Sequence, residues 1–153
     1  MSKIKVGVLG AFRGIAMIKF LMKYPDAELV AVCDKYPPAL EKCRKAAEDA
    51  GIKIALFENC DDFLTCDMDA VVLANYATEH APFAIRCLKS GRHVLSEVLA
   101  VQTLAEAVEL VETVEKTGMF YGYAENFCYF RGGFEMRRRF ERGDIGEFTY
   151  GEG

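Results

Sequence analysis

The fold is decided near the start of the chain, where the segment IKVGVLGAFRGIA begins at Ile4. Its first part, Ile4–Leu9, is apolar and contains several β-branched residues, and it ends at the glycines Gly10 and Gly14. A helical pattern over residues 15–22 follows and breaks before a proline, because the residue before proline is driven out of the helical region. The segment therefore predicts one strand, turn and helix unit.

The turn Gly10-Ala11-Phe12-Arg13-Gly14 is a candidate phosphate-binding loop. Where a strand passes into a helix, unpaired N–H groups and the helix dipole meet at one point and attract a phosphate. The usual fingerprint is G-x-G-x-x-G, but Phe12 replaces the middle glycine here and the turn is one residue shorter. Arg13 can supply compensating charge, since a guanidinium binds phosphate oxygens bidentately. The alternative is that the glycines only reverse the chain.

An acidic residue after the second predicted strand favours dinucleotide binding. Asp34 follows the apolar run 28–33 and lies 24 residues after Gly10, where a carboxylate accepts hydrogen bonds from an adenosine ribose. A carboxylate there repels a 2′-phosphate and favours NAD over NADP, although neighbouring Lys35 weakens this preference and leaves NADP possible. A lone aspartate after a strand also suits an ordinary turn.

β-Rich apolar runs alternate with amphipathic stretches along the chain, which predicts an α/β fold with a doubly wound parallel sheet, the Rossmann fold. Pro37 and Pro38 suit the first turn of the second helix. Thr78 is the expected N-cap of a later helix, and Thr103 and Glu106 have capping-box spacing. The six predicted strands are residues 4–9, 28–33, 52–57, 70–74, 93–96 and 119–123, with a short helix or turn at 60–64.

We expect two units along the chain. Residues 1–123 contain enough strands and crossovers for a complete dinucleotide-binding domain, and residues 124–153 are expected to begin a second α/β domain. In this last part, residues 130–140 predict a helix, 143–146 a turn, and 148–150 the opening of a new strand. Since these elements complete nothing, we expect that the rest of the second domain has been cut away or was never included.

Composition disfavours several classes of function. The 153 residues are 52% hydrophobic and 27% charged, and the net charge of −4 gives no electrostatic reason to expect nucleic acid or an anionic membrane as partner. The longest apolar run, residues 70–74, is far below the roughly 20 residues that span a bilayer. The N-terminus lacks the apolar core of a signal peptide, so a cytoplasmic protein is expected. Six scattered cysteines and two histidines predict no metal site.

Longer stretches carry a family resemblance. Val6–Gly14, Leu29–Asp34 and Asp69–His80 resemble the phosphate loop, the ribose-binding strand and the fourth strand with its following turn in the Gfo/Idh/MocA family, to which glucose-fructose oxidoreductase and inositol dehydrogenase belong. The most specific stretch runs from His80 to Glu97. Gly143–Glu147 is similar to the segment that leads into the family's C-terminal sheet domain. The sequence thus resembles the N-terminal half of these proteins.

This resemblance implies a Rossmann domain that binds NAD or NADP, joined to a domain that carries part of the substrate site and usually the oligomer contact. The implied function is an oxidoreductase that transfers hydride between nicotinamide and a sugar, polyol or related hydroxy compound, as a homo-oligomer when full length. In the family's dehydrogenases a Glu-Lys-Pro triplet follows the fifth strand, and its lysine reaches the nicotinamide ribose and the substrate hydroxyl. This chain has Glu97-Val98-Leu99. Because valine has no proton to transfer, the lysine's role cannot be assigned here.

Four titratable residues near strand ends remain candidates for catalysis: His80, Glu97, Tyr123 and Glu125. Each also has an ordinary structural explanation, and the proton-transfer group can instead come from a second domain. Asn126 matches a family position that borders the active site, where an amide hydrogen-bonds a sugar hydroxyl or the nicotinamide carboxamide. The predicted cofactor-binding residues are Gly10, Ala11, Phe12, Arg13, Gly14, Asp34, Lys35, Asn75, His80, Glu97 and Asn126.

The replacement of the family lysine by Val98 keeps other functions open. One alternative is a non-catalytic member that holds a nucleotide for sensing or assembly. Another is a lyase or glycosidase that uses bound NAD only transiently. In every case we expect this chain by itself to bind the cofactor better than it turns over a substrate.

Overall fold

A computed structural model describes residues 2–152 and confirms the predicted α/β architecture. Six parallel strands form one sheet in the order β3-β2-β1-β4-β5-β6, which is the doubly wound order of a Rossmann fold. The strands are β1 Ile4–Leu9, β2 Ala27–Cys33, β3 Ala55–Phe57, β4 Ala70–Leu73, β5 His93–Ser96 and β6 Tyr121–Tyr123. The helices are α1 Ile15–Leu21, α2 Pro37–Asp49, α3 Cys60–Phe63, α4 His80–Lys89, α5 Leu104–Thr117 and α6 Arg131–Glu141, with 3-10 turns at Ala77–Glu79 and Phe127–Tyr129.

Strand β1 lies in the middle of the sheet, paired with β2 on one side and β4 on the other. Its Val8 is fully buried beside Val32 and Val72, as expected for a parallel sheet that is covered on both faces. Helices α1 and α2 pack on one face through residues such as Ile18 and Leu40, whereas α3, α4 and α5 cover the other. The carboxyl ends of all six strands therefore meet along one edge, where the strand order reverses between β1 and β4.

Strands β3 and β6 begin later than the sequence predicts, because the residues that precede them bond elsewhere. The N–H of Ile52 donates to the Ala47 carbonyl at 3.0 Å and closes the end of α2, so the third strand begins only at Ala55. Before β6, the N–H of Met119 donates to the Thr117 hydroxyl at 3.3 Å. These amide groups are therefore not available to the sheet.

The predicted N-cap at Thr78 is wrong, whereas the capping box at Thr103 is confirmed. Thr78 lies inside the 3-10 turn, in which the Glu79 N–H already donates to the Tyr76 carbonyl at 2.8 Å. The chain is thus turning before Thr78, and helix α4 follows without a side-chain cap. At α5 the Thr103 hydroxyl accepts the Glu106 N–H at 3.1 Å, and the Glu106 carboxylate accepts the Thr103 N–H at 3.2 Å.

Residues beyond 124 pack little against the sheet domain. No residue of α6 is buried, and the helix lies mainly against the 3-10 turn before it. The strand expected at residues 148–150 is not formed, since this segment pairs with no strand among residues 2–152. The proposed division into 1–123 and 124–153 remains a prediction.

None of the helices in residues 2–152 combines the length and the apolar composition that crossing a membrane requires.

The weak packing of α6 predicts where proteases cut first. We expect trypsin to cleave between Arg131 and Arg142 at least about tenfold faster than at any site in residues 3–116, because poorly packed segments open locally at low free-energy cost. Mass spectrometry of a digestion time course measures this. Early cleavage at Arg44 or Arg86, inside the sheet domain, contradicts the expected order.

Candidate functional site

A cleft with a volume of about 680 Å³ opens at the carboxyl edge of the sheet. Its walls come from the ends of β1, β2 and β4, from the segment after β3 and from one side of α4. In open α/β sheets, ligands bind at this edge, at the point where the strand order reverses. Among the predicted cofactor-binding residues, the cleft is lined by Gly10, Phe12, Arg13, Asp34, Lys35 and Asn75.

The turn after β1 is pressed against the backbone that follows β4. Gly10 has a φ of +100°, and a Cβ there would lie 2.3 Å from the carbonyl carbon of Ala74 and 2.4 Å from the nitrogen of Asn75. At Gly14 a Cβ would lie 2.4 Å from the Gly10 oxygen, which accepts the Gly14 N–H at 3.0 Å. Both positions therefore have room for glycine only, and Gly10 lets the turn lie directly against the backbone after β4.

Asp34 joins the end of β2 to this turn. One oxygen of its carboxylate accepts the N–H groups of Ala11 at 2.7 Å and Phe12 at 3.2 Å, and the other accepts the N–H of Tyr36 at 2.9 Å. From the sequence, the loop amides are expected to bind a phosphate and the carboxylate a ribose. In the structure, two of these amides instead donate to the carboxylate. The second oxygen has accepted a single hydrogen bond and can still accept one from a hydroxyl group.

Asn75 carries polar atoms that lack partners. Both its side-chain oxygen and its side-chain nitrogen are buried without a hydrogen-bond partner among the described residues, on the wall of the cleft beside Gly10. Buried polar groups are normally hydrogen-bonded, because desolvating an unpaired amide costs about 1–3 kcal/mol. This amide therefore has unused hydrogen-bonding capacity at the wall of the cleft.

The charges around the cleft are nearly balanced. Lys35 forms an ion pair with Glu79 at 3.3 Å, and Arg86 pairs with Asp61. Arg13 lines the cleft and forms no ion pair within residues 2–152. Of the three cations that line the cleft, two are therefore already paired with carboxylates.

His80 is placed in the protein interior rather than in the cleft. The side chain is 1% exposed, with Nδ1 2.8 Å from the Leu99 carbonyl and Nε2 3.3 Å from the Asn75 carbonyl. The ring thus connects the segment after β4 to the segment after β5. This geometry gives His80 a positioning role for both segments, and a direct role in catalysis or cofactor binding stays a prediction.

The remaining predicted residues lie further along the same edge. Glu97 follows β5, while Tyr123 ends β6 and is followed by Glu125 and Asn126. The Glu125 carboxylate accepts the Phe127 N–H at 2.8 Å, and the Asn126 side chain makes no capping bond. These residues lie beyond the cleft, on the β5 and β6 half of the edge. The structure therefore separates the predicted site into a β2-side half and a β6-side half.

Sequence reasoning missed several residues that line the cleft. Three of them lie within three residues of a strand's carboxyl end: Tyr36, Glu58 and Tyr76. Their position directly after a predicted strand indicates that they lie at the ligand-binding edge of the sheet. Phe83 and Arg86 reach the cleft from the side of α4, and no local sequence pattern indicates that.

Two cysteines line the cleft but do not offer a reactive thiolate. Burial raises the pKa of Cys33 to about 12, and burial also raises the pKa of Cys60. Both thiols therefore stay protonated at neutral pH, and the thiolate is the nucleophilic form. Neither cysteine is therefore a candidate nucleophile for covalent catalysis.

Comparison with protein families identifies the sheet domain. The profile of the Gfo/Idh/MocA group, described as an oxidoreductase family with an NAD-binding Rossmann fold, matches residues 4–124. A glycosyl hydrolase family 109 protein from Shewanella sp. (strain ANA-3) is 31% identical over 99% of this chain, which corresponds to 35% of that protein. One from Saccharopolyspora erythraea is 31% identical over 98% of this chain and 34% of its own length. The chain thus spans about a third of the curated relatives that it matches.

Solved structures share the fold. Myo-inositol 2-dehydrogenase from Lactobacillus plantarum superposes with a TM-score of 0.87 at 20% identity, over 97% of this chain and 44% of that one. Scyllo-inositol dehydrogenase from Lactobacillus casei, solved with NAD(H) and scyllo-inositol, gives 0.85 at 21% identity, over 97% and 44%. The WlbA dehydrogenase from Bordetella pertussis, in complex with NADH and UDP-GlcNAcA, gives 0.82 at 26% identity, over 94% and 43%.

The close approach at Gly10 predicts an unusually costly substitution. We expect Gly10→Ala to lower the free energy of unfolding by about 3 kcal/mol or more, because the added methyl meets backbone atoms and the φ is positive. Gly118→Ala is the matched control, since Gly118 also has a positive φ but nothing lies within 4 Å of the added Cβ. We expect about 1–2 kcal/mol there. Equal losses in urea denaturation would contradict the predicted close contact.

Proposed function

The chain belongs to the Gfo/Idh/MocA oxidoreductase family with an NAD-binding Rossmann fold, and we propose that residues 1–123 bind the dinucleotide of an NAD-dependent oxidoreductase. The adenosine half would occupy the cleft at the ends of β1, β2 and β4. The observation that carries this proposal is the cleft itself, which places the glycine turn and the Asp34 carboxylate together at the point where the strand order reverses.

Each part of the cleft fits one chemical group of the dinucleotide. The glycine turn lies at the amino end of α1, where a diphosphate is expected to bind, and the Arg13 guanidinium can bind its oxygens. Asp34 has an oxygen free to accept a ribose hydroxyl while it still holds the turn in place. The unpartnered amide of Asn75 can donate to an oxygen of the ligand and accept a hydrogen bond from it.

The β6-side half of the edge is the proposed place of chemistry. The nicotinamide, when bound, supplies or accepts hydride at C4. Glu97, Tyr123 and Glu125 are the residues of this chain that can hold or move a proton there, and Asn126 can orient a hydroxyl or a carboxamide. Val98 cannot take part in proton transfer, so one of these groups, or a group from a second domain, must replace the family lysine.

The proposed substrate is a sugar, polyol or related hydroxy compound. The Lactobacillus casei relative was solved with scyllo-inositol and the Bordetella pertussis relative with UDP-GlcNAcA, and both ligands are rich in hydroxyl groups. Homo-oligomer formation by a longer protein and a cytoplasmic location stay predictions. The six cysteines are free thiols, which fits a reducing compartment.

A glycosidase that uses NAD transiently is the second candidate function. Two observations favour it: the relatives that match 98–99% of this chain carry the name glycosyl hydrolase family 109, and Val98 replaces the family lysine. Such an enzyme returns its cofactor to the starting oxidation state in each turnover, so no NADH accumulates. A dehydrogenase accumulates NADH in proportion to its product.

Calorimetric titration of NAD tests the cofactor proposal on this chain. We expect Asp34→Ala to weaken NAD binding about tenfold or more, because it removes a charged acceptor of a ribose hydroxyl and releases the turn. Asp26→Ala is the control, since it removes the same charge just before the amino end of β2. Circular dichroism melts verify that each variant folds. Unchanged NAD affinity in folded Asp34→Ala would remove this residue from the site, and wild-type chain that binds no NAD would refute the proposal.

An activity assay separates the two candidate functions. A protein of the relatives' full length that contains this chain would be incubated with NAD and either polyols or chromogenic aryl glycosides. Absorbance at 340 nm that rises with polyol oxidation supports the dehydrogenase. Release of the chromophore that depends on NAD but produces no net NADH supports the glycosidase. NAD binding with neither activity would favour the non-catalytic alternative.

A further inference from the structure

We propose that Glu79 sets the choice between NAD and NADP by occupying Lys35, the cation nearest to the site of a 2′-phosphate. The inference rests on the proposed dinucleotide function and adds a specificity-determining residue to it. Lys35 directly follows Asp34, and Glu79 ends the 3-10 turn before α4. Both residues line the cleft, and the Lys35 ammonium donates to the Glu79 carboxylate at 3.3 Å.

The ion pair crosses the mouth of the cleft. Lys35 comes from the loop after β2 and Glu79 from the turn after β4, and β1 lies between these two strands in the sheet. The pair therefore links the loop after β2 to the turn after β4 on the two sides of β1. Since Glu79 is also the residue from which α4 starts, its negative charge is favoured by the helix dipole.

A 2′-phosphate is attached to the ribose that Asp34 is proposed to bind. It would therefore enter next to Lys35, where it must compete with the Glu79 carboxylate for the ammonium group. Glu79 and Asp34 would both repel it. An unphosphorylated ribose neither competes for the ammonium group nor is repelled by the carboxylates. The ion pair should therefore weaken NADP binding while leaving the affinity for NAD nearly unchanged.

The other cations of the cleft do not compensate. Arg86 is paired with Asp61, and it belongs to the second turn of α4 rather than to the end of β2. Arg13 belongs to the turn after β1, where the proposed diphosphate already requires its charge. Breaking the Lys35–Glu79 ion pair should therefore free the cleft cation that can bind a 2′-phosphate and raise the affinity for NADP.

The experiment is calorimetric titration of NAD and NADP on the wild type and on Glu79→Gln. The readout is the ratio of the two dissociation constants, Kd(NADP)/Kd(NAD). We expect this ratio to fall about three- to fivefold in Glu79→Gln, mainly through tighter NADP binding, because an exposed ion pair is broken and a like charge is removed. Since exposed charges are screened, the effect should shrink when salt is raised from about 0.05 to 0.3 M.

Two further variants isolate the role of the lysine. Glu28→Gln removes one negative charge at the amino end of β2, outside the cleft, and Glu28 forms no ion pair within residues 2–152, so the ratio should stay within about twofold of wild type. The double variant Lys35→Met with Glu79→Gln should also return the ratio to within about twofold of wild type. Glu79→Ala replaces Glu79→Gln if the glutamine variant fails to fold.

The outcomes distinguish this inference from the function on which it rests. Wild-type chain that binds NAD, together with an unchanged ratio in folded Glu79→Gln, overturns the role of Glu79 and leaves the dinucleotide function intact. An equal fall of the ratio in Glu28→Gln, or a fall that persists in the double variant, overturns the role of Lys35. Wild-type chain that binds neither dinucleotide refutes the proposed function itself.

Discussion

The structure depends on a contact between two backbone segments, where the turn after β1 lies against the chain that leaves β4. Gly10 permits this contact because no Cβ fits between it and Ala74 or Asn75. The contact brings the ends of adjacent parallel strands together at the point where the strand order reverses. Asp34 then joins β2 to the same turn through two loop amides, so three strands share one rigid corner of the cleft.

The carboxyl edge of the sheet has two regions, the cleft at the ends of β1, β2 and β4 and the segment beyond β5 and β6. Around the cleft, paired charges and buried thiols make the surroundings nearly neutral and chemically inert, which suits binding and discrimination. The candidate proton-transfer residues Glu97, Tyr123 and Glu125 lie instead beyond β5 and β6. The buried His80 ring lies between the two regions, with Nδ1 2.8 Å from the Leu99 carbonyl and Nε2 3.3 Å from the Asn75 carbonyl. The arrangement therefore supports a cofactor held at one half and reacting at the other.

Features that depend on one short segment of the chain can be predicted from the sequence. Apolar runs gave the strands, the Thr103 and Glu106 spacing gave the capping box, and the glycine turn with Asp34 gave the position of the cleft. What the sequence could not supply depends on residues distant along the chain. The bonds from loop amides to Asp34 span more than 20 residues, and the pairing of Lys35 with Glu79 joins different strand ends. Strand lengths were overestimated because amides such as that of Ile52 bond to helix ends, which periodicity does not reveal.

The central claim is that the corner formed by Gly10, Asp34 and Asn75 receives the diphosphate and ribose of a dinucleotide. An NMR titration of the isotopically labelled chain with NAD tests it most directly, since each amide reports its own surroundings. The account predicts that the largest shifts occur at the amides of residues 10–14, at Asp34 and at the side-chain amide of Asn75. Saturable NAD binding whose shifts fall elsewhere, with these amides unmoved, would contradict the account.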